Sequence, residues 1–222
     1  MKIALCFSGQ PRAFKQGYEY YKRNLFDFYD VDVYIHSWNT AYNQELIDLY
    51  QPVKYKFEDY LDVDCSHYTR TPIPLKHPQH GTYCMYYSVS QSSKLIAGEY
   101  DCVIKSRTDY ALNVSIQFET LEPSKLYIPD CYIAPNRDRG NDQFAFGSQA
   151  VMMKYMSTFD HIDQIYNSGY IFNGEDLMQG NLHLHNLVGD NLEYVPMNNP
   201  FPPGPYNGTA HALIRDDMAQ WK

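Results

Sequence analysis

Paired cysteines, clustered basic residues and long apolar stretches are all missing from this chain of 222 residues. Its five cysteines, Cys6, Cys65, Cys84, Cys102 and Cys131, stand far apart, with no C-x-x-C pair and an odd total. That spacing argues against both a disulfide framework and a zinc knuckle. No run of Lys and Arg exceeds two residues and the net charge is −8, which disfavours a wide phosphate-backbone footprint. No nucleic-acid partner is expected. Nor does any apolar stretch approach the roughly 20 residues that span a bilayer, and "MKIALCFSGQ" turns polar too early for a signal peptide. The chain therefore reads as soluble and cytoplasmic, without a transmembrane segment. Asn113 and Asn207 open N-x-S/T triplets, which carry no weight in a chain that is not secreted.

What the chain does have is 44% hydrophobic residues and a clear alternation of periodicities. "KIALCF" reads as a strand, followed by the turn-like "SGQPR" and then by Phe14, Tyr18, Tyr21, Leu25 and Phe28 at helical spacing. "VDVYIHSW" is alternating and β-branched, "AYNQELIDLY" is helical, and "VKYKF" is a further strand. Beyond a Pro- and His-rich loop over residues 66 to 82, Met85, Val89 and Ile96 mark a third helix leading into the strand of "YDCVIKSRTDYALN". A βαβαβαβ order favours a mostly parallel sheet covered on both faces. In the second half "KLYIP", "DQFAFGS" and "LEYVPM" read as strands. Met152, Met156, Phe159, Ile162 and Tyr166 read as one helix, and another follows "GED". "NNPFPPGPYNGTAHAL" is too rich in Pro and Gly for regular structure. With no repeat and no linker, one compact α/β domain over residues 1–222 is expected, with functional halves at about 1–110 and 111–222.

Ligands of open parallel sheets bind beyond the carboxyl ends of the strands. Three such ends carry chemistry here: Ser8, Gly9, Gln10 and Arg12; then His36, Ser37 and Trp38; then Lys105, Arg107 and Asp109. Small polar groups after the first strand admit a nucleoside, and Arg offers a planar fork to phosphate. "SGQPR" is neither G-x-G-x-x-G nor a P-loop, so ordinary dinucleotide and P-loop sites are disfavoured. Asp109 has two readings of equal weight. One is a carboxylate for Mg²⁺ or Mn²⁺ on a diphosphate, the other a turn-forming Asp or an ion pair with Arg107. Ser88, Gln91 and Lys94 share one helix face, directed either at a nucleotide or at solvent. Trp38 is a candidate for stacking on a base or sugar, and Tyr18 and Tyr21 for the core. His183 and His185 are two apart on a helix and cannot form a zinc pair. Tyr206 lies in the Pro-rich run, read either as a lid or as a tail.

The blocks "YDCVIKSRTD", "NDQFAFGSQAVMMKY" and "GED", together with "KIALCFSGQPRAF" and "DVDVYIHSWNT", resemble small glycosyltransferases of the GT-A type. Within that type the resemblance is to the glycosyltransferase domains of large DNA viruses, including chlorovirus enzymes that build capsid glycans, and it spans roughly residues 2 to 187. It implies a UDP-sugar at the carboxyl edge of a Rossmann-type sheet, a Mn²⁺ or Mg²⁺ ion on its diphosphate, a glycan acceptor pocket in the second half and, for a viral protein, a host-cytoplasmic location. Asp109 takes the place of the last Asp in the family's Asp-x-Asp motif, while Arg107 stands where the first would be. Arg107 then has the diphosphate or the sugar as a direct target. His211 takes the place of a C-terminal metal-binding His.

An inverting transfer needs a carboxylate base. The resemblance places "ED", Glu175 and Asp176, near the acceptor, although either is equally a helix-capping residue. Asp142 with Gln143 comes third, as a holder of acceptor hydroxyls or as a loop residue. Two rival readings stand beside this one: a noncatalytic carbohydrate- or nucleotide-binding module, and a metal-independent transferase in which Arg12 and Arg107 neutralise the diphosphate.

Overall fold

Strand alternation organises the molecule. In β1 (Lys2–Ser8), Ile3, Leu5 and Phe7 face one side of the sheet while Ala4 and Cys6 face the other, and all five are inaccessible to water. The first set packs under α1 (Phe14–Tyr21) and α2 (Asn43–Tyr50) through Phe14, Tyr21, Leu46 and Tyr50. The second set meets α3 (Gln79–Lys94) through Tyr86 and Val89. Each large apolar side chain so buried contributes roughly 1.5–3 kcal/mol. The computed structural model describes residues 1–72, 79–129 and 141–195. His211, Tyr206 and Cys131 lie outside them, and the other four cysteines are free and buried.

The remaining strands are β2 (Asp30–Trp38), β3 (Lys54–Glu58), β4 (Cys102–Ser106), β5 (Leu126–Pro129), β6 (Ala145–Gly147) and β7 (Leu192–Val195). Their order across the single sheet is β3-β2-β1-β4-β6-β5-β7. Neighbours are parallel except that β6 runs against both β4 and β5. The mostly parallel sheet with helices on both faces is thus observed, with one reversed strand. The register sets Ser8 level with His36, and Phe7 level with Ser106, so the carboxyl ends of β1, β2 and β4 open onto one edge.

Two expected helices are built differently. The continuous helix over 152 to 166 is two short ones, α4 (Gln149–Tyr155) and α5 (Ile162–Asn167), joined by a tight turn at Thr158–His161. Ser157 Oγ donates to Lys154 O at 2.8 Å and Thr158 Oγ1 to Tyr155 O at 3.2 Å, local bonds that compete with helix propagation. The apolar periodicity survives the break, because Met152, Met156, Ile162 and Tyr166 still share one core. The first helix widens at Lys22–Phe26, where Asp27 N bonds to Lys22 O, and this extra residue per turn puts Phe28 outside at 64% exposure. The last helix, α6 (Gly174–Leu184), is present where expected but begins with "GED" as its first turn rather than after it.

Gly17 fixes how closely α1 can lie on the sheet edge. A Cβ there would stand 1.9 Å from Thr108 O, a backbone atom. Thr108 in turn donates its hydroxyl to Arg12 O at 3.1 Å, stitching the loop after β4 to the loop after β1. Alanine would gain about 1 kcal/mol of helix propensity, far less than the separation of these loops would cost. Gly17→Ala is therefore expected to lower stability by about 1–3 kcal/mol, read as a fall in the urea midpoint; an unchanged midpoint would show that the contact can relax.

Candidate functional site

The turn after β1 is held from a distance. Gly9 adopts φ +95, and a Cβ there would meet nothing within 4 Å, so glycine serves the backbone conformation rather than space. Gly9 N donates to Ser88 Oγ on α3 at 2.7 Å. Ser88 Oγ lies 2.8 Å from His36 Nδ1, and His36 Nε2 lies 2.7 Å from Glu58 Oε1 at the end of β3. Glu58 also pairs with Lys56 at 2.8 Å. Ser88, His36 and Glu58 have the residue types of a nucleophilic triad, but Ser88 and His36 are both inaccessible and the serine already serves Gly9. The chain positions the turn. Burial lowers the His36 pKa, Glu58 opposing it, and keeps the ring neutral near neutrality.

At the end of β4, Lys105 is 1% exposed and donates to the carbonyl oxygens of Asp142 and, at 3.3 Å, Gln143. Burial pushes its pKa down to about 8, with Asp142 opposing, so the ammonium stays mainly protonated at pH ~7. The reversed direction of β6 makes this contact possible. Lys105 pairs with Ala145, so the residues just before β6 fall beyond the carboxyl end of β4. Asn141 Oδ1 holds that loop by accepting from Gln143 N at 2.7 Å and Phe144 N at 3.2 Å.

Arg107 and Asp109 form a two-pronged ion pair, Nε to Oδ1 at 2.8 Å and Nη2 to Oδ2 at 2.7 Å. The carboxylate is 5% exposed and the Arg107 side chain 27%. Burial works against the guanidinium charge, and Asp109 outweighs it, holding the pKa above its ordinary value. Arg12 bonds Gln10 Oε1 through Nε at 2.9 Å on the neighbouring loop.

The amino end of α6 supplies the acidic side. Asn173 Oδ1 accepts from Asp176 N at 2.8 Å, while Asn173 Nδ2 donates back to the Asp176 carboxylate. Asp176 is thereby engaged as a reciprocal cap. A Cβ on Gly174 would lie 2.4 Å from Asp142 Oδ2, so glycine lets Asp142 rest against the start of α6, where the helix field favours a negative charge. Buried Tyr86 donates to Gly174 O, and its pKa is well raised, by burial first and then by Asp142, Tyr155 and Glu175. Asp142 and Glu175 therefore act on the same tyrosine.

Of the residues singled out in the sequence, Ser8, Gly9, Gln10, Arg12, Lys105, Arg107, Asp109, Asp142, Glu175 and Asp176 lie on the loops and strand ends of this edge or on α6, which Asp142 joins to it. Lys94 does not. It sits six residues from Ser88, about 9 Å farther along α3, and pairs with Asp160 at 3.3 Å. His36 is buried in the chain above, and Trp38 is 4% exposed, enclosed by Tyr60 at 4.8 Å and Tyr87 at 6.1 Å between ring centres. Neither ring is presented to a ligand. Glu58, Tyr86 and Asn173 were missed. Glu58 ends a fourth parallel strand beside His36, and Asn173 stands three residues before Asp176, the spacing of a reciprocal cap; both signals are in the sequence.

A Mn²⁺ or Mg²⁺ ion requires several oxygen ligands. Asp109 gives both of its oxygens to Arg107, and among the described residues no three His, Cys, Asp or Glu side chains converge. As arranged, these residues do not fit a hard cation.

No family model matches the chain and no curated protein matches its sequence. Solved structures do match by fold. An active-site mutant of LgtC, a GT-A glycosyltransferase, aligns over 88% of this chain and 72% of its own, at 12% identity and a TM-score of 0.50. The fold is thus a single α/β domain of GT-A type, and at this identity the likeness speaks for the fold alone.

One pH effect follows from His36. Because its folded pKa lies below the ordinary 6.5, the unfolded chain takes up the proton first on acidification, and stability falls as pH drops below about 6.5. The urea midpoint at pH ~5.5 should fall further below its value at pH ~7.5 in the unchanged protein than in His36→Gln. Equal falls would mean that His36 is not the group responsible.

Proposed function

We propose that the chain is a glycosyltransferase that moves a sugar from a nucleotide diphosphate sugar, UDP-linked in the first instance, to a hydroxyl of a glycan. The observation that carries this reading is one sheet edge, in a GT-A fold, that joins a partly buried arginine, Arg107, to two carboxylates at the start of α6, Asp142 and Glu175. The donor's nucleoside lies against Gly9, Gln10 and Arg12, its diphosphate near Arg107, and its sugar toward Asp142. The half from about residue 111 onward holds the acceptor. The sequence resemblance to viral capsid-glycan enzymes makes a surface glycan the acceptor class to try first.

In an inverting transfer, Glu175 or Asp142 takes the proton of the acceptor hydroxyl as its oxygen attacks the anomeric carbon. The bond from that carbon to the diphosphate oxygen breaks on the opposite face, and the nucleoside diphosphate leaves with the electron pair. Asp176, engaged by Asn173, ranks behind the other two.

Donor panels with glycan acceptors test the reading. Glu175→Gln or Asp142→Asn should lower kcat by about 10²–10⁴-fold, whereas Asp176→Ala should cost about 1 kcal/mol of stability and leave kcat within a few-fold. Full transfer by both of the first two variants would place the base elsewhere. A donor that binds but is neither transferred nor hydrolysed would leave a noncatalytic binding module.

A further inference from the structure

The Arg107–Asp109 pair is oriented for an anion. A site that takes up a cation presents carboxylate oxygens to solvent, but here the Asp109 side chain is the enclosed partner at 5% exposure and the Arg107 side chain the less buried one at 27%. Asp109 occupies Nε and one hydrogen of Nη2, and guanidinium has five N–H donors in a fixed fork, so the remaining three are available to a further acceptor. Beneath the same edge the ammonium of Lys105 adds a second fixed positive charge, held by the Asp142 and Gln143 carbonyls. Arg12 brings a third to the loop after β1, which Thr108 ties to the loop after β4. A divalent ion at Asp109 would have to displace the guanidinium and then sit beside it, at a like-charge cost on top of a broken ion pair.

Building on the transferase reading, we infer that the donor's diphosphate is gripped by protein cations without a divalent metal, with Arg107 as the principal contact. Asp109 is then a positioning residue that aims and fixes the guanidinium, and Lys105 strengthens the field at the same place. The forked donor matches two phosphate oxygens at once, and its preset charge stabilises the departing diphosphate as negative charge grows on it.

Titration calorimetry of UDP into the protein, once with EDTA and once with Mn²⁺, tests this directly. Equal affinity within about threefold in the two buffers is expected. Arg107→Lys, which keeps the charge but loses the fork, should weaken UDP in EDTA by about 10- to 100-fold. The double variant Arg107→Gln, Asp109→Asn removes both charges and so avoids a buried unpaired carboxylate; it should weaken UDP at least as much while keeping a cooperative thermal transition. Binding that needs Mn²⁺, or that both variants leave intact, overturns the inference while the transferase reading stands. Absence of UDP, GDP and ADP binding in both buffers overturns the inference and the donor site together.

Discussion

An ammonium buried at the end of a strand is unfavourable unless oxygen atoms surround it, and the oxygens around Lys105 come from Asp142 and Gln143. They are within reach because β6 runs against β4, which brings the start of β6, rather than its end, to the carboxyl edge. The loop that carries Asp142 is thereby seated over β4, and Asp142 in turn rests against Gly174 at the head of α6. The acidic side of the site thus hangs on a basic residue of the opposite half. The first four strands and the loops after them supply the cations and turns; the loop before β6 and the start of α6 supply Asp142 and Glu175; one buried amine joins them.

That arrangement separates tasks that simple charge counting would merge. Among the acidic side chains described at or beside this edge, Asp109 is held by the fork of Arg107, Asp176 by Asn173 and Glu58 by His36 and Lys56. Asp142 and Glu175 act together on a buried tyrosine at the amino end of a helix, where negative charge is favoured.

Much of the frame was legible in the sequence. Alternation in "KIALCF" and "VDVYIHSW" and the compact apolar run of "CVIK" leave little freedom for the first half, and strand ends in a parallel sheet point to one edge by topology alone. The reversal of β6 left no local mark, because a three-residue strand reads the same in either direction. The enclosure of Trp38 and His36 was equally hidden, since it depends on Tyr60, Tyr87 and Ser88, which reach them through tertiary packing. The even choice at Asp109, metal ligand or ion-pair partner, turns on side-chain geometry that the sequence does not carry; in the structure both carboxylate oxygens accept from Arg107.

The chain of bonds from Gly9 through Ser88 and His36 to Glu58 means that the shape of the turn after β1 is not written in the turn. Its anchor is on a helix some eighty residues later, and that anchor is braced by the outermost strand of this side of the sheet. Transplanting "SGQPR" into another scaffold would carry the glycine and lose the geometry. Conversely, the turn can be reshaped from behind: a change at Ser88 or Glu58 would move it without altering any residue of the turn itself, a route that mutagenesis confined to residues 8 to 12 would overlook.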